Sequence, residues 1–349
     1  MSYFRPEIDT LDAYTPGEQP PFDADVVKLN TNENPYPPSP RVMEALHEIQ
    51  GDQLRLYPQP YADEFRASAA AVLGVEPGSV LVGNGSDDIL TMLFRSVTGP
   101  SRPVAYPSPT YVLYGTLAQI QGAPVVEIPF DEDYTLPVGE LAKANAALTL
   151  IASPNSPSGT RPSNDQLAEL ASRLDGVLAI DEAYVEFADT NALELVRRFE
   201  NILILRTLSK SHALAGLRLG YAVAATAMVA GLAKVKDSYN VDAIAAHVGS
   251  AAVQDQKYTA ELVARVRRSR GRLAAALTAL GFRVWPSEAN FLLVRPPDGR
   301  AHDVYEGLKQ RGILVRYFNR PALEDKLRIT VGTDAQNDRL IEAITQLAR

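Results

Sequence analysis

The chain has 349 residues and no cysteine, so disulfides, thiolate metal sites and cysteine nucleophiles are excluded together. Its 42 acidic side chains outnumber the 34 basic ones, a formal charge of −8 with no long basic block, which excludes the electrostatic footprint of a nucleic-acid binder. Acidic residues interrupt the first ten positions where a signal peptide needs an apolar core, and no charge-free apolar run of about 18 residues occurs, so the expectation is a cytoplasmic, two-domain protein with small-molecule partners, no membrane and no nucleic acid.

Residues 30–40, Asn-Thr-Asn-Glu-Asn-Pro-Tyr-Pro-Pro-Ser-Pro, cannot form a regular helix and read as an ordered extended loop. Apolar runs at 79–83, 103–106, 124–128, 148–152, 177–180, 202–205 and 221–224 then alternate with helical patterns, among them 87–97, 111–120 and 163–174. The last opens on Ser163 as N-cap, with Asp165 in its first turn. This alternation predicts an α/β fold with a mostly parallel central sheet flanked by helices. A long helical stretch at 242–280, interrupted in register at Gly249 and Gly271, is expected to link two domains. Strands at 282–285, 291–294, 313–315 and 327–331, with helices at 304–310 and 335–348, form a smaller α/β unit. The expected division is a large domain over 45–241, with the N-terminal arm 1–44 joining 242–349.

Residues suited to chemistry fall at the carboxyl ends of the predicted strands, where open α/β sheets bind ligands. After 79–83 comes Gly83-Asn-Gly-Ser-Asp-Asp88, a glycine-rich turn opening a helix, whose free N–H groups suit a phosphate. It is no dinucleotide fingerprint, because Asp88 stands where the third glycine belongs. After 148–152 comes Ser153-Pro-Asn-Ser-Pro-Ser-Gly-Thr160, in which two prolines fix the backbone and free Asn155 to present its amide sideways. Asp181, in Asp181-Glu-Ala-Tyr184, emerges directly from four apolar positions, and an ionised carboxylate held there needs a cationic partner. Past 202–205, Lys210 stands between small hydroxyl residues near the end of a buried strand, where desolvation favours a neutral amine able to form a Schiff base with a carbonyl cofactor. Arg218, eight positions on, suits a phosphate.

In type and order, Asn155, Asp181, Tyr184, Lys210 and Arg218 resemble the site of the aspartate-aminotransferase-like, fold type I enzymes that use pyridoxal 5'-phosphate. Leu29-Asn-Thr-Asn-Glu-Asn-Pro35, Arg55-Leu-Tyr-Pro-Gln-Pro60, Gly83-Asn-Gly-Ser-Asp-Asp88, Thr207-Leu-Ser-Lys-Ser-His-Ala-Leu-Ala-Gly-Leu-Arg218 and Leu327-Arg-Ile-Thr-Val-Gly-Thr333 are similar to the histidinol-phosphate aminotransferase family in particular. That resemblance implies Lys210 as the Schiff-base lysine and Asp181 as the partner of the pyridinium, with Asn155 and Tyr184 on the ring hydroxyl and Tyr111 stacked on the ring face. The cofactor phosphate would be held by Gly85, Ser86, Asp87, Thr207, Ser209 and Arg218, with Tyr57 reaching across from the second subunit of a homodimer.

For substrate, the resemblance points to Arg328 and Arg316, with Tyr14 and Asn32 as further contacts. A planar guanidinium binds phosphate or carboxylate, as required of an enzyme that takes L-histidinol phosphate in one half-reaction and L-glutamate in the other. The implied reaction exchanges the amino group between L-histidinol phosphate and 2-oxoglutarate in L-histidine biosynthesis. An aromatic, phenylalanine-type aminotransferase would share every cofactor residue, and a phosphothreonine decarboxylase relative or a non-catalytic cofactor-binding regulator are further alternatives. One departure from the family is the asparagine loop, Ser153-Pro-Asn-Ser-Pro-Ser-Gly in place of Asn-Pro-Asn-Asn-Pro-Thr-Gly; the amide at Asn155 is kept. His47, His212, His247 and His302 show no metal-ligand spacing, and His212 reads as structural.

Overall fold

The computed structural model describes residues 2–12, 17–21 and 25–347. A short strand β1 (Val27–Leu29) precedes the main sheet, which is built from β2 (Val80–Gly83), β3 (Val104–Ser108), β4 (Val125–Pro129), β5 (Leu148–Ala152), β6 (Val177–Asp181), β7 (Ile202–Thr207) and β8 (Gly220–Ala224). Its order is β2-β8-β7-β6-β5-β3-β4. Strands β3 to β7 pair in parallel, and every residue of β5, β7 and β8 is buried, which explains continuous apolar runs in place of alternation. β8 runs antiparallel to both neighbours. Between β7 and β8 the chain has only a 3-10 turn, Ala215–Leu217, in place of a crossover helix, so it folds straight back on itself. Lys210 and Arg218 ride on that return.

Helix Ser86–Val97 packs Ile89, Leu90, Leu93 and Phe94 against one face of the sheet. Over the β2–β8 end lie helices Pro40–Glu48, Asp63–Leu73 and Ala243–Gln254, whose Val42, Phe65 and Val248 share a core with Leu219. The proline run therefore ends as a helix start, with Pro40 in the first turn and the Ser39 hydroxyl capping Arg41 N–H.

The stretch after 242 differs from expectation. It is two helices, Ala243–Gln254 and Gln256–Ala279, and the break falls at Asp255 rather than at either glycine. Asp255 leaves helical geometry, and its carboxylate accepts from Tyr258 N–H to cap the second helix. Gly249 marks a close approach instead: a Cβ there would stand 2.1 Å from Leu219 Cδ2. The first of these helices lies beyond the expected boundary at 241 yet packs into the core of the large sheet.

The smaller sheet consists of β1 with β9 (Arg283–Val284), β10 (Phe291–Arg295), β11 (Ile313–Tyr317) and β12 (Leu327–Thr330), in the order β1-β11-β12-β10-β9. β1, absent from the sequence reading, pairs in parallel with β11, and the loop that follows it reaches Tyr184 and Lys210, just past the carboxyl ends of β6 and β7. Leu277, Leu308, Leu340 and Ile344, from three helices, cover this sheet. Among the described residues no helix is long and apolar enough to cross a membrane.

Candidate active site

The carboxyl ends of β6 and β7 face the smaller sheet across a cavity of about 220 Å³. Its walls include Asp181, Tyr184, Lys210, Arg218, Arg316 and Arg328, contributed by both sheets.

Asp181 is the last residue of β6 and is buried. Its carboxylate accepts from the Tyr114 hydroxyl at 2.8 Å and the Ala183 N–H at 3.1 Å, both neutral donors. Burial raises its pKa from 3.8 to about 6 despite those two bonds, and the nearby Asp87 and Glu182 carboxylates push the same way. A buried carboxylate aimed into a cavity and lacking a charged donor fits a cationic ring nitrogen. Next to it, the Glu182 carboxylate pairs with Arg206 at 2.7 Å, both side chains buried, which locks β6 to β7 where their ends carry the site.

Lys210 stands three residues beyond β7 and is half-buried. Its Nζ donates to the Thr31 carbonyl at 3.3 Å and lies 5.8 Å from the centre of the Tyr184 ring. His212 is buried, with Nδ1 3.0 Å from the Ser211 hydroxyl; burial and the Arg206 charge lower its pKa to about 4, so it stays neutral under ordinary conditions.

The glycine-rich turn lies beside the cavity, with Ser86 and Asp87 in its lining. Gly85, at φ 78°, leads into helix Ser86–Val97 without any side-chain cap, so the first N–H groups of a twelve-residue helix remain available beside the cavity wall at Ser86 and Asp87. Arg218 occupies the left-handed region at φ 55° and lays its guanidinium 3.5 Å from the Asp87 carboxylate. A Cβ on Gly85 would come within 2.6 Å of Arg218 Nη2, and one on Gly220 within 2.4 Å of Ser86 N. On the same wall, the Thr207 hydroxyl donates to Ser209 Oγ at 2.9 Å and accepts the Ser209 N–H at 3.2 Å. Helix N–H groups, hydroxyls and a guanidinium around one glycine-cleared space fit a phosphate.

At the opposite end Arg316 and Arg328 are directly paired across β11 and β12. Arg328 donates to Ser156 Oγ and to the Asn30 carbonyl, each at 3.0 Å, and lies over the Phe291 and Phe318 rings. Arg316 also lies over Phe318. Both guanidiniums line the cavity, and a planar guanidinium can bind a phosphate or a carboxylate.

Not every expected residue reaches the cavity. Tyr111 does, with its hydroxyl donating to Asp87 Oδ1 at 3.2 Å and its ring edge-on to Tyr114. Asn32 does, with its amide donating to the Tyr184 hydroxyl at 2.9 Å. Asn155 lies behind the wall, its amide donating to Ser158 Oγ and the Pro109 carbonyl, while Pro154 and Ser156 line the surface in its place. Tyr57 is 82% exposed and stacks on Tyr239. Tyr14 falls outside the described residues. The sequence reading missed Tyr114, one turn beyond Tyr111, and Thr31 and Asn34, in a loop from which only Asn32 was singled out as a site residue.

Residues 24–344 match the family described as aminotransferase class I and II. The chain is 55% identical over 348 residues to histidinol-phosphate aminotransferase 1 of Trichormus variabilis, covering 100% of this chain and 99% of that protein. It is 47% identical over 338 residues to the histidinol-phosphate aminotransferase of Rhodopirellula baltica, covering 96% and 93%. Among solved structures, the Sinorhizobium meliloti histidinol-phosphate aminotransferase in complex with pyridoxal-5'-phosphate has a TM-score of 0.90 at 26% identity, over 99% of both chains. L-threonine-O-3-phosphate decarboxylase of Porphyromonas gingivalis, at 23% identity and a TM-score of 0.83 over 93% and 99% of the chains, shares the fold.

Proposed function

The chain belongs to the class I and II aminotransferases and, within them, to the histidinol-phosphate aminotransferase family, and from that premise we propose that it transfers an amino group between L-histidinol phosphate and 2-oxoglutarate. The observation that carries the substrate reading is the Arg316–Arg328 pair, a two-guanidinium anion seat at the end of the cavity opposite the phosphate cradle. One seat can hold the phosphate of one substrate and a carboxylate of the other in turn.

The cofactor of this reading is pyridoxal 5'-phosphate, which when bound supplies a carbonyl to carry the amino group and a ring to draw off electrons. Lys210 Nζ is the reactive amine and the base that takes the proton from the amine-bearing carbon of the substrate and later returns one. Asp181 would hold a protonated ring nitrogen and keep its positive charge in place, so that the ring could draw electrons from the reacting carbon. Tyr184 would hold the ring hydroxyl, Asn155 would have to turn its amide from Ser158 and Pro109 to join it, and Tyr111 would pack on the ring face. Gly85, Ser86, Asp87, Thr207, Ser209 and Arg218 hold the phosphate. Arg316, Arg328, Asn32 and Tyr14 orient the substrate. The large domain, 45–241, supplies the cofactor residues, and the unit made of 1–44 and 242–349 supplies most of the substrate end.

The same reading makes the protein a cytoplasmic homodimer, with Tyr57 completing the partner's phosphate site. Leu54, Leu56, Tyr57, Tyr61 and Tyr239 are all exposed, an apolar surface that a second copy would cover. In the test of the anion seat, Arg328→Gln and Arg316→Gln each lower kcat/KM for histidinol phosphate and for glutamate by about 10- to 100-fold, with cofactor affinity unchanged. Loss toward one substrate alone would refute the shared seat.

A further inference from the structure

Residues 30–34 grip the site at successive positions. The Asn30 carbonyl accepts from Arg328 Nη2 at 3.0 Å, and the next carbonyl, Thr31, accepts from Lys210 Nζ at 3.3 Å. Asn32, held at φ 57°, donates its amide to the Tyr184 hydroxyl, while its own N–H and Oδ1 both meet the Thr330 hydroxyl at 3.0 Å. Asn34 then reaches across to the other side of the cavity. Its Nδ2 donates to the main-chain carbonyls of Lys210 at 2.9 Å and Ser211 at 3.3 Å, and its Oδ1 accepts the Tyr36 N–H at 3.2 Å.

We propose that Asn34 is a positioning residue that seats Lys210: its two amide hydrogens clamp consecutive carbonyls at the reactive lysine, fixing where the amine stands relative to Thr31 and Tyr184. Lys210 sits on a return segment, 208–219, whose only regular element is a three-residue turn; its carbonyl also accepts a long turn bond, from Ala213 N–H at 3.4 Å. The clamp adds a shorter bond to that carbonyl from 176 residues away in sequence. Because the same loop docks Arg328 through Asn30, the anion seat and the amine share one support. Asparagine suits the role because one planar group offers two donors and one acceptor; aspartate keeps the acceptor and loses both donors.

This inference rests on Lys210 being the reactive amine. The test uses Asn34→Asp and Asn34→Ala beside wild type, with three readouts: kcat and KM, the pH titration of the visible absorbance of the loaded enzyme, and the rate at which trinitrobenzenesulfonate labels Lys210 in the apoprotein, followed by mass spectrometry. In both variants kcat falls by about 10²-fold, as expected of a misplaced reacting group, while KM for either substrate stays within about threefold. Lys210 labelling and the absorbance titration shift together with kcat. Variants that fold with wild-type labelling, titration and kcat, or that lose only thermal stability, would overturn the proposal. Lys210→Ala separates the two readings: wild-type turnover in that variant would remove the proposed function, whereas the apoprotein labelling would still report whether Asn34 seats the lysine.

Discussion

Asp181 shows how a single side chain carries the logic of the site. Its folded pKa of about 6 lies above the ordinary 3.8, so the stability tied to its proton is complete below about pH 4 and lost as pH rises through about 6. For the apoprotein that loss amounts to about 3 kcal/mol, because each tenfold change in proton affinity is worth about 1.4 kcal/mol. Asp181→Asn keeps the shape without the charge. Denaturant unfolding should therefore find the variant apoprotein more stable than the wild-type apoprotein by about 3 kcal/mol near pH 8 and nearly equal to it near pH 4, while it binds cofactor more weakly. An equal difference at both pH values would show that the carboxylate pays no burial penalty. The residue was legible in sequence because a carboxylate ending an apolar strand is an unusual placement. Tyr114, which makes its principal hydrogen bond, was not, because an aromatic in an apolar helix looks the same whether or not its hydroxyl has work to do.

At the level of elements, the glycines separate into those that clear space and those that do not. Gly220 opens β8 against the turn before helix Ser86–Val97, and a Cβ there would meet Ser86 N and Gly85 C at 2.4 and 2.7 Å, both backbone atoms. Gly220→Ala must displace the turn at Gly85 and Ser86; a cost of about 1–3 kcal/mol is expected in thermal or denaturant unfolding, with cofactor affinity lowered by about tenfold if that turn holds the phosphate, as proposed. Gly271 lies inside helix Gln256–Ala279 with nothing within 4 Å of its would-be Cβ, so Gly271→Ala should instead stabilise by about 0.5–1 kcal/mol. Opposite signs at the two positions would confirm that close approach, not glycine itself, governs. The strands of the main sheet were readable because burial on both faces writes itself as apolar runs. The break at Asp255 was not, since a cap is a local hydrogen bond that interrupts no hydrophobic pattern. β1 was missed for its length, three residues with Lys28 between two apolar ones. Asn34 was missed because its partners are carbonyls of a segment distant in sequence, which no spacing rule connects.

Across the whole molecule, Asp181 and Lys210 of the main sheet and Arg316 and Arg328 of the smaller one line a single cavity, with β1 docked on β11 and its following loop reaching Lys210. Cofactor end and substrate end are thereby separable, and fold relatives that share the first can differ in the second. The decisive question is thus which amine the arginine seat and its aromatic floor accept. A single half-turnover answers it: the purified, cofactor-loaded protein is mixed with L-histidinol phosphate or with L-phenylalanine, and the loss of its visible absorbance is followed. Rapid, saturable conversion by histidinol phosphate, with phenylalanine far slower, is the result the proposed function predicts. Preference for phenylalanine would contradict the proposed substrate while leaving the cofactor site intact, and a loaded protein without visible absorbance would contradict the role given to Lys210.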